Sequence, residues 1–169
     1  MTFQDLSGAV IATSVYASGT QIAGNIPVKL PEITPKLVEI TAAGGTLEIP
    51  VWQLIDAMES SISKTGLDKS YAQVITPEAF DLIINIVQQS VSADGTTTPQ
   101  HIKAYQRVIP KSAPGLELTP GESGENEITF SVLSYQLYLD GSKVLDIDVP
   151  KGICFVGGKD YSEGIRNML

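Results

Sequence analysis

The sequence predicts a mainly β protein with one or two small helices. Three features predict it: apolar residues alternate with polar ones on both sides of an Asp140-Gly141 turn signal; β-branched residues crowd the run from Phe80 to Gln89; and prolines at 27, 31 and 35 hold an apolar stretch extended. At 169 residues the chain has the length of about one domain, spanning 1–169. It carries 11 Lys+Arg against 19 Asp+Glu, a formal net charge of −8, and only 18% of its residues are charged, below the ~25% of ordinary domains. A surface so poor in charge predicts burial against another molecule, which makes assembly the first hypothesis.

Composition also excludes function classes. A pI near 4.5 is wrong for a sequence-reading nucleic-acid binder, which gains its affinity by neutralising phosphates with Lys and Arg. Cys154 is the single cysteine, so no internal disulfide is expected, and with His101 as the one histidine there is no Cys/His set for zinc. Cys154 in strand-like sequence is expected to be a small buried hydrophobe. No run of about 18 apolar residues spans a membrane. The start, Met1 to Ser7, lacks the basic n-region of a secretory signal, which predicts synthesis and folding in a cytoplasm.

From Asp5 to Lys29 no charged residue intervenes, although Ser, Thr, Gly, Gln and Asn are frequent. Such sequence fits one or two strands packed on both faces, broken near Gly19 and Gly24. Ile26 to Ile40 reads as an edge ribbon or extended arm, because each proline removes an amide donor. The arm with its hinge covers 26–45: Ala42 to Gly45 is expected to flex, and Thr46 to Pro50 to form a short strand. Leu54, Met58 and Ile62, at i, i+4 and i+8 after Pro50, predict a helical turn that also holds Trp52.

Thr76 to Gln89 fits either period, since Phe80, Ile83, Ile84 and Val87 match a helix face while Leu82, Ile84 and Ile86 alternate. Its β-branched content favours strand, and the run is read as a helical turn at Pro77 to Phe80 followed by a strand that closes at Asp94-Gly95. His101 to Pro110 reads as a strand carrying Lys103 and Arg107, with Lys111 just beyond, and 114–127 as a solvated loop. Beyond it, Ile128, Phe130 and Val132 alternate on one parity and Tyr135, Leu137 and Leu139 on the other. One inserted residue near Leu133-Ser134, a β-bulge, accounts for the change. Asp140-Gly141 then turns the chain into a return strand with Leu145, Ile147 and Val149 on one face and Asp146 and Asp148 on the other. Ile153 to Val156 forms a last strand, ended by Gly157-Gly158, and Tyr161 to Leu169 a short terminal helix.

No catalytic constellation emerges. Asp146 and Asp148 share a strand face, but two acids on the polar side of a hairpin are the simpler reading. His101 has no nucleophile in a recognisable motif, Gly-Ser-Lys at 141–143 lacks the frame of a phosphate loop, and Gly44-Gly45 and Gly157-Gly158 lack dinucleotide spacing. Neither catalytic nor metal-binding residues are assigned, and no cofactor is expected.

The run Tyr135-Gln-Leu-Tyr-Leu-Asp140-Gly141-Ser-Lys-Val-Leu-Asp146-Ile-Asp, then Val156-Gly157-Gly158-Lys-Asp160-Tyr161 and Arg166, resembles the major tail tube proteins of P2-type contractile phage tails. Val28-Lys-Leu30-Pro31-Glu-Ile33-Thr-Pro35-Lys, leading to Gly44-Gly45 and a Glu-Ile-Pro strand, is similar to that family's arm and Gly-rich segment. The resemblance implies two antiparallel sheets packed as a barrel-like sandwich with a flanking helix and an extended N-terminal arm. It also implies hexameric rings that stack into a tube in the virion tail. The partners implied are a tail sheath, a tape-measure protein, a baseplate initiator and DNA that passes without specific binding; membrane insertion is not expected. The arm residues Val28, Leu30, Pro31, Ile33, Pro35, Gly44 and Gly45 are then candidate joints between subunits or rings. A negatively lined lumen would let DNA phosphates slide. Lys103, Arg107 and Lys111 are the basic exception, facing the sheath or a neighbour. The tube of a headless contractile bacteriocin or injection particle, a free-standing β-sandwich binding carbohydrate or protein, and, more distantly, an enzyme stay open as alternatives.

Overall fold

The computed structural model describes residues 6–169. In chain order its elements are β1 (Leu6–Ala17), β2 (Thr20–Gly24), β3 (Val28–Lys29), β4 (Pro35–Ala42), β5 (Gly45–Ile55), β6 (Met58–Thr65), α1 (Tyr71–Ile75), β7 (Phe80–Val91), β8 (Thr97–Pro110), β9 (Glu125–Leu139), β10 (Ser142–Asp148), β11 (Ile153–Val156), β12 (Lys159–Asp160) and α2 (Glu163–Arg166). All strand pairings are antiparallel. The large sheet runs β12-β11-β10-β9-β8-β7-β1-β2, with β6 attached to β9 and β3 to β6, while β4 and β5 form a separate two-stranded ribbon. The architecture is sandwich-like and mostly β, and the sheet does not close into a barrel.

β9 organises the two layers. One of its edges pairs with β8 from Phe130 to Leu139. The other edge is divided, Glu125–Val132 holding β6 and Ser134–Leu139 holding β10. The division falls at Leu133, which has no partner on β8 because Arg107 pairs with Ser134 and Val108 with Val132. This is the expected bulge. One extra residue keeps Ile128, Phe130, Val132 and Tyr135 all buried although their parity changes. Around them lie Val15 and Ala17 of β1, Met58 and Ile62 of β6, Leu82 and Ile84 of β7, and Ala104 and Val108 of β8. Phe80 meets Phe130 edge to face, with ring centroids 5.8 Å apart.

One cation is folded into this interior. Lys64 is 4% exposed, and its ammonium donates to Asp68 Oδ2 at 2.8 Å and to the Ile22 carbonyl at 3.3 Å. The Lys64 ammonium, together with donation from the Ser70 hydroxyl, pulls the Asp68 carboxyl down to about 2.

Five expectations are corrected. No helix spans Leu54 to Ile62; these residues belong to β5 and β6, and Trp52 is a half-exposed strand residue. Met58, Ser60, Ile62 and Lys64 are buried, so alternation with Glu59 and Ser63 described the segment better than the i, i+4 spacing that the apolar residues share with it. Ala42 to Gly45 is the tight tip of the β4–β5 hairpin rather than a hinge, with Ala42 paired to Gly45. The extended arm over 26–45 is divided: β3 and the residues after it pack on the body, and the projecting ribbon runs from Pro35 to Ile55. The expected turn at Pro77 to Phe80 lies upstream as α1, and the terminal helix is only Glu163–Arg166. Phe80 to Gln89 is strand, as its β-branched residues favoured.

Candidate assembly surfaces

Along β4–β5, Leu37 pairs with Pro50, Val38 with Ile49, Glu39 with Glu48, Ile40 with Leu47 and Thr41 with Thr46. Since facing residues share a side of the ribbon, Val38, Ile40, Leu47, Ile49 and Val51 make an apolar ladder, with Lys36 opposite Val51 at its base, and Leu37, Glu39, Thr41, Thr46, Glu48 and Pro50 line the reverse. Among the described residues nothing covers the ladder: Leu47 is 56% exposed and Ile40 48%. Glu39 directly opposite Glu48 is a like-charge pair, which costs about 0.2–1 kcal/mol. Only the base is anchored, where Gln53 Nε2 donates to the Tyr161 carbonyl at 3.3 Å and Asp56 N to the Thr34 carbonyl at 2.9 Å.

A second uncovered surface lies at the start of β1. β2 pairs with β1 only from Ser14 onward, so among the described residues Leu6–Ala12 has β7 along one edge and no strand along the other. Two irregularities, skipping Gly8 and Ile11, fall in this half. Leu6, Val10 and Ile11 are 72%, 60% and 57% exposed. The uncharged sequence expected to be packed on both faces is packed only from Val15 onward within the subunit.

A third surface is polar. On β6 and β9 this face carries Glu59, Ser63 and Thr65, with Ser61 buried among them, beside Glu125, Glu127, Thr129 and Ser131. Here Lys111 pairs with Glu59 at 2.6 Å, and Lys29 lies opposite Ser61. The face is a carpet of hydroxyls and carboxylates.

The C-terminal pattern residues serve the fold. Tyr135 is buried, which pushes its hydroxyl up to about 12. Asp140 and Gly141 sit at φ +48° and +83°, as a two-residue hairpin turn requires, and Asp140 Oδ1 accepts from the His101 amide at 2.9 Å. Asp146 is buried rather than solvated and accepts from Lys143 Nζ at 2.8 Å, which raises the lysine above its usual range. Gly157 and Gly158 take φ +61° and +94° between β11 and β12. Asp160 and Arg166 join at 2.5 Å, and Arg166 Nη1 also donates to the Gly152 carbonyl at 3.0 Å. That clasp ties α2 to the sheet margin, with the guanidinium holding the Asp160 carboxyl below its ordinary range.

Of the arm residues, Val28, Leu30 and Ile33 pack against the subunit's own core, Pro31 is buried, Pro35 opens β4, and Gly44 and Gly45 occupy the exposed hairpin tip. Sequence reading pointed to the charge-poor start and the arm as surfaces for burial against another molecule, but did not single out Leu37 to Ile49 or Leu6 to Ile11 by residue. The alternation of Val38 and Ile40 with Glu39 was the available signal. Of the basic trio, Arg107 pairs with Asp81 at 3.0 Å, Lys111 with Glu59, and Lys103 lies over the Tyr105 ring at 4.8 Å. His101 is exposed, with Nε2 3.2 Å from Asn85 Oδ1. Cys154 is buried, and burial pushes its thiol up.

Residues 8–169 match the model of the family described as phage tail tube protein FII. The chain belongs to that family. It is therefore a tail tube protein, a component of the tail of a phage or of an injection particle. Two solved structures share its fold. One is the sheath-tube complex of an extracellular contractile injection system, PVC, in the extended state: 16% identity, TM-score 0.52, covering 75% of this chain and 87% of that one. The other is the sheath/tube terminator of the same system in the extended state: 16% identity, TM-score 0.50, covering 75% of this chain and 92% of that one. No curated protein matches the sequence.

Proposed function

We propose that this tube protein builds hexameric rings that stack into the hollow tube of a contractile phage tail, with DNA passing through the lumen. The observation that carries the proposal is the β4–β5 ribbon, whose apolar ladder and both outer edges stand open among the described residues. Open strand edges beside exposed apolar residues are an aggregation hazard unless assembly covers them, and ordered closure by identical copies removes the hazard. The hydroxyl and carboxylate face of β6 and β9 suits the lumen wall, because Glu59, Glu125 and Glu127 outnumber Lys29 and Lys111 there and repel phosphate. Lys103 and Arg107, carried by β8, then suit a contact with a sheath. A tape-measure protein inside the tube, a baseplate initiator at its end and assembly in the host bacterial cytoplasm complete the reading. The role is structural and not catalytic. Each arm residue contributes as its position allows: Gly44 and Gly45 at contacts between copies, and Val28, Leu30, Pro31, Ile33 and Pro35 by holding the ribbon's base. Family membership sets aside the free-standing binding module.

Electron microscopy of the concentrated protein, with and without baseplate seeds, tests the proposal. Rings or tubes of constant diameter are expected. A protein that stays monomeric under both conditions refutes it.

A further inference from the structure

Resting on the tube reading, we infer that the apolar ladder of β4–β5 in one copy seats on the uncovered first half of β1 in the next. A ring or a stack needs a heterologous contact, in which one patch meets a different patch on the neighbour, because a self-complementary patch closes a dimer and stops. The described subunit offers two such patches with matching chemistry. Val38, Ile40, Leu47 and Ile49 form the first; Val10 and the bulged Ile11 form the second, with Leu6, which faces Val91 rather than Gln88, on the other side of the strand. Between Val38 and Ile49 neither brings a charge into the contact, and Lys36, opposite Val51, stands at the ribbon's base. β1 has no ionisable side chain before Tyr16, and the ribbon's acids, Glu39 and Glu48, lie on its reverse face. Burying an unpaired charge would cost far more than apolar contact returns.

The backbone matches as well. Leu6–Ala12 presents an unpaired edge of about the length of β4, and the outer edges of β4 and β5 are unpaired too. A β4 edge added to β1 satisfies both rows of amide and carbonyl groups and sets the ladder alongside Val10 and Ile11. The irregularities at Gly8 and Ile11 bend this edge away from a flat template, which limits pairing to a partner of matching curvature.

Two preparations in a Cys154→Ser background test the contact: one carries Val10→Cys, the other Cys at Ile40, Leu47 or Ile49. A short bismaleimide is added under conditions in which the unsubstituted protein forms tubes. A cross-linked dimer is expected only in mixtures of the two, with each preparation alone staying at background. Independently, Val10→Glu should abolish tubes, and Ile49→Lys placed in the same chain should restore them. The inference is overturned if unsubstituted protein assembles while no mixture cross-links above background, or if Val10→Glu assembles normally; the tube reading would survive either result. Failure of the unsubstituted protein to assemble at all would instead overturn the tube reading and this contact with it.

Discussion

The molecule holds two hairpins built alike and used differently. β9–β10 turns at Asp140-Gly141 and sends Tyr135, Ile147 and its neighbours into the subunit's core. β4–β5 turns at Ala43-Gly44 and sends an equally apolar ladder into solvent. Strand pairing is equally regular in both. The difference lies in what lies over the apolar side: a second layer of the same chain in one case, nothing from the described chain in the other. Regular secondary structure is thus no guide to whether a surface works inside the subunit or between subunits.

The sharpest way to break this comparison is to make one change in both hairpins. Ile147→Ala removes a fully buried side chain from β10 and should cost about 2–5 kcal/mol. Ile49→Ala should shift the monomer by no more than about 0.5 kcal/mol, as for exposed sites, yet still impair assembly. Urea unfolding of the monomers reads both; equal losses would mean that the ribbon is already covered within the subunit. Next in size is the turn. Gly141→Val forces a β-branched residue to φ +83° and should lower stability by about 1–3 kcal/mol by the same measurement. Asp68→Asn strips the buried Lys64 ammonium of its counter-charge and should destabilise by about 1–3 kcal/mol. An intact melting temperature in that variant would show the ammonium to be hydrated.

Within β4–β5, Glu39→Lys turns a like-charge pair into an attractive one, worth about 0.2–1 kcal/mol to the ribbon. Slower hydrogen exchange of its amides is expected, with global stability unchanged. The smallest effect is that of pH. Asp160 is held below its ordinary range by Arg166, and Asp68 at about 2 by Lys64. A lowered carboxyl stabilises the fold above its unfolded pKa and loses that contribution as pH falls through the folded one. Stability should therefore be level above pH ~5 and decline toward pH 2, and Arg166→Ala should flatten the Asp160 share of that decline.

Local chemistry made much of this legible beforehand. The bulge at Leu133 followed from a change of parity between Val132 and Tyr135, and the turn at 140–141 from the demand for positive φ. The run 54–62 was misread because Leu54, Met58 and Ile62 share a parity as well as a helical spacing, so the apolar residues alone do not separate a strand from a helix over so short a stretch. Arm residues such as Val28 and Leu30 were legible as apolar and extended, but not as packed inward. That depends on β6 lying beside β3, a pairing across some thirty residues of chain.

By itself, the amino-acid sequence determined the β character, the turns, the bulge, the acidity and the charge-poor start, because each is written in side-chain type and in alternation over a few neighbours. Tertiary structure alone decided which apolar faces are covered. Cover is supplied by residues distant in the chain, so that Ile147 lies beneath a second layer while Ile49, of the same residue type in the same kind of strand, faces outward.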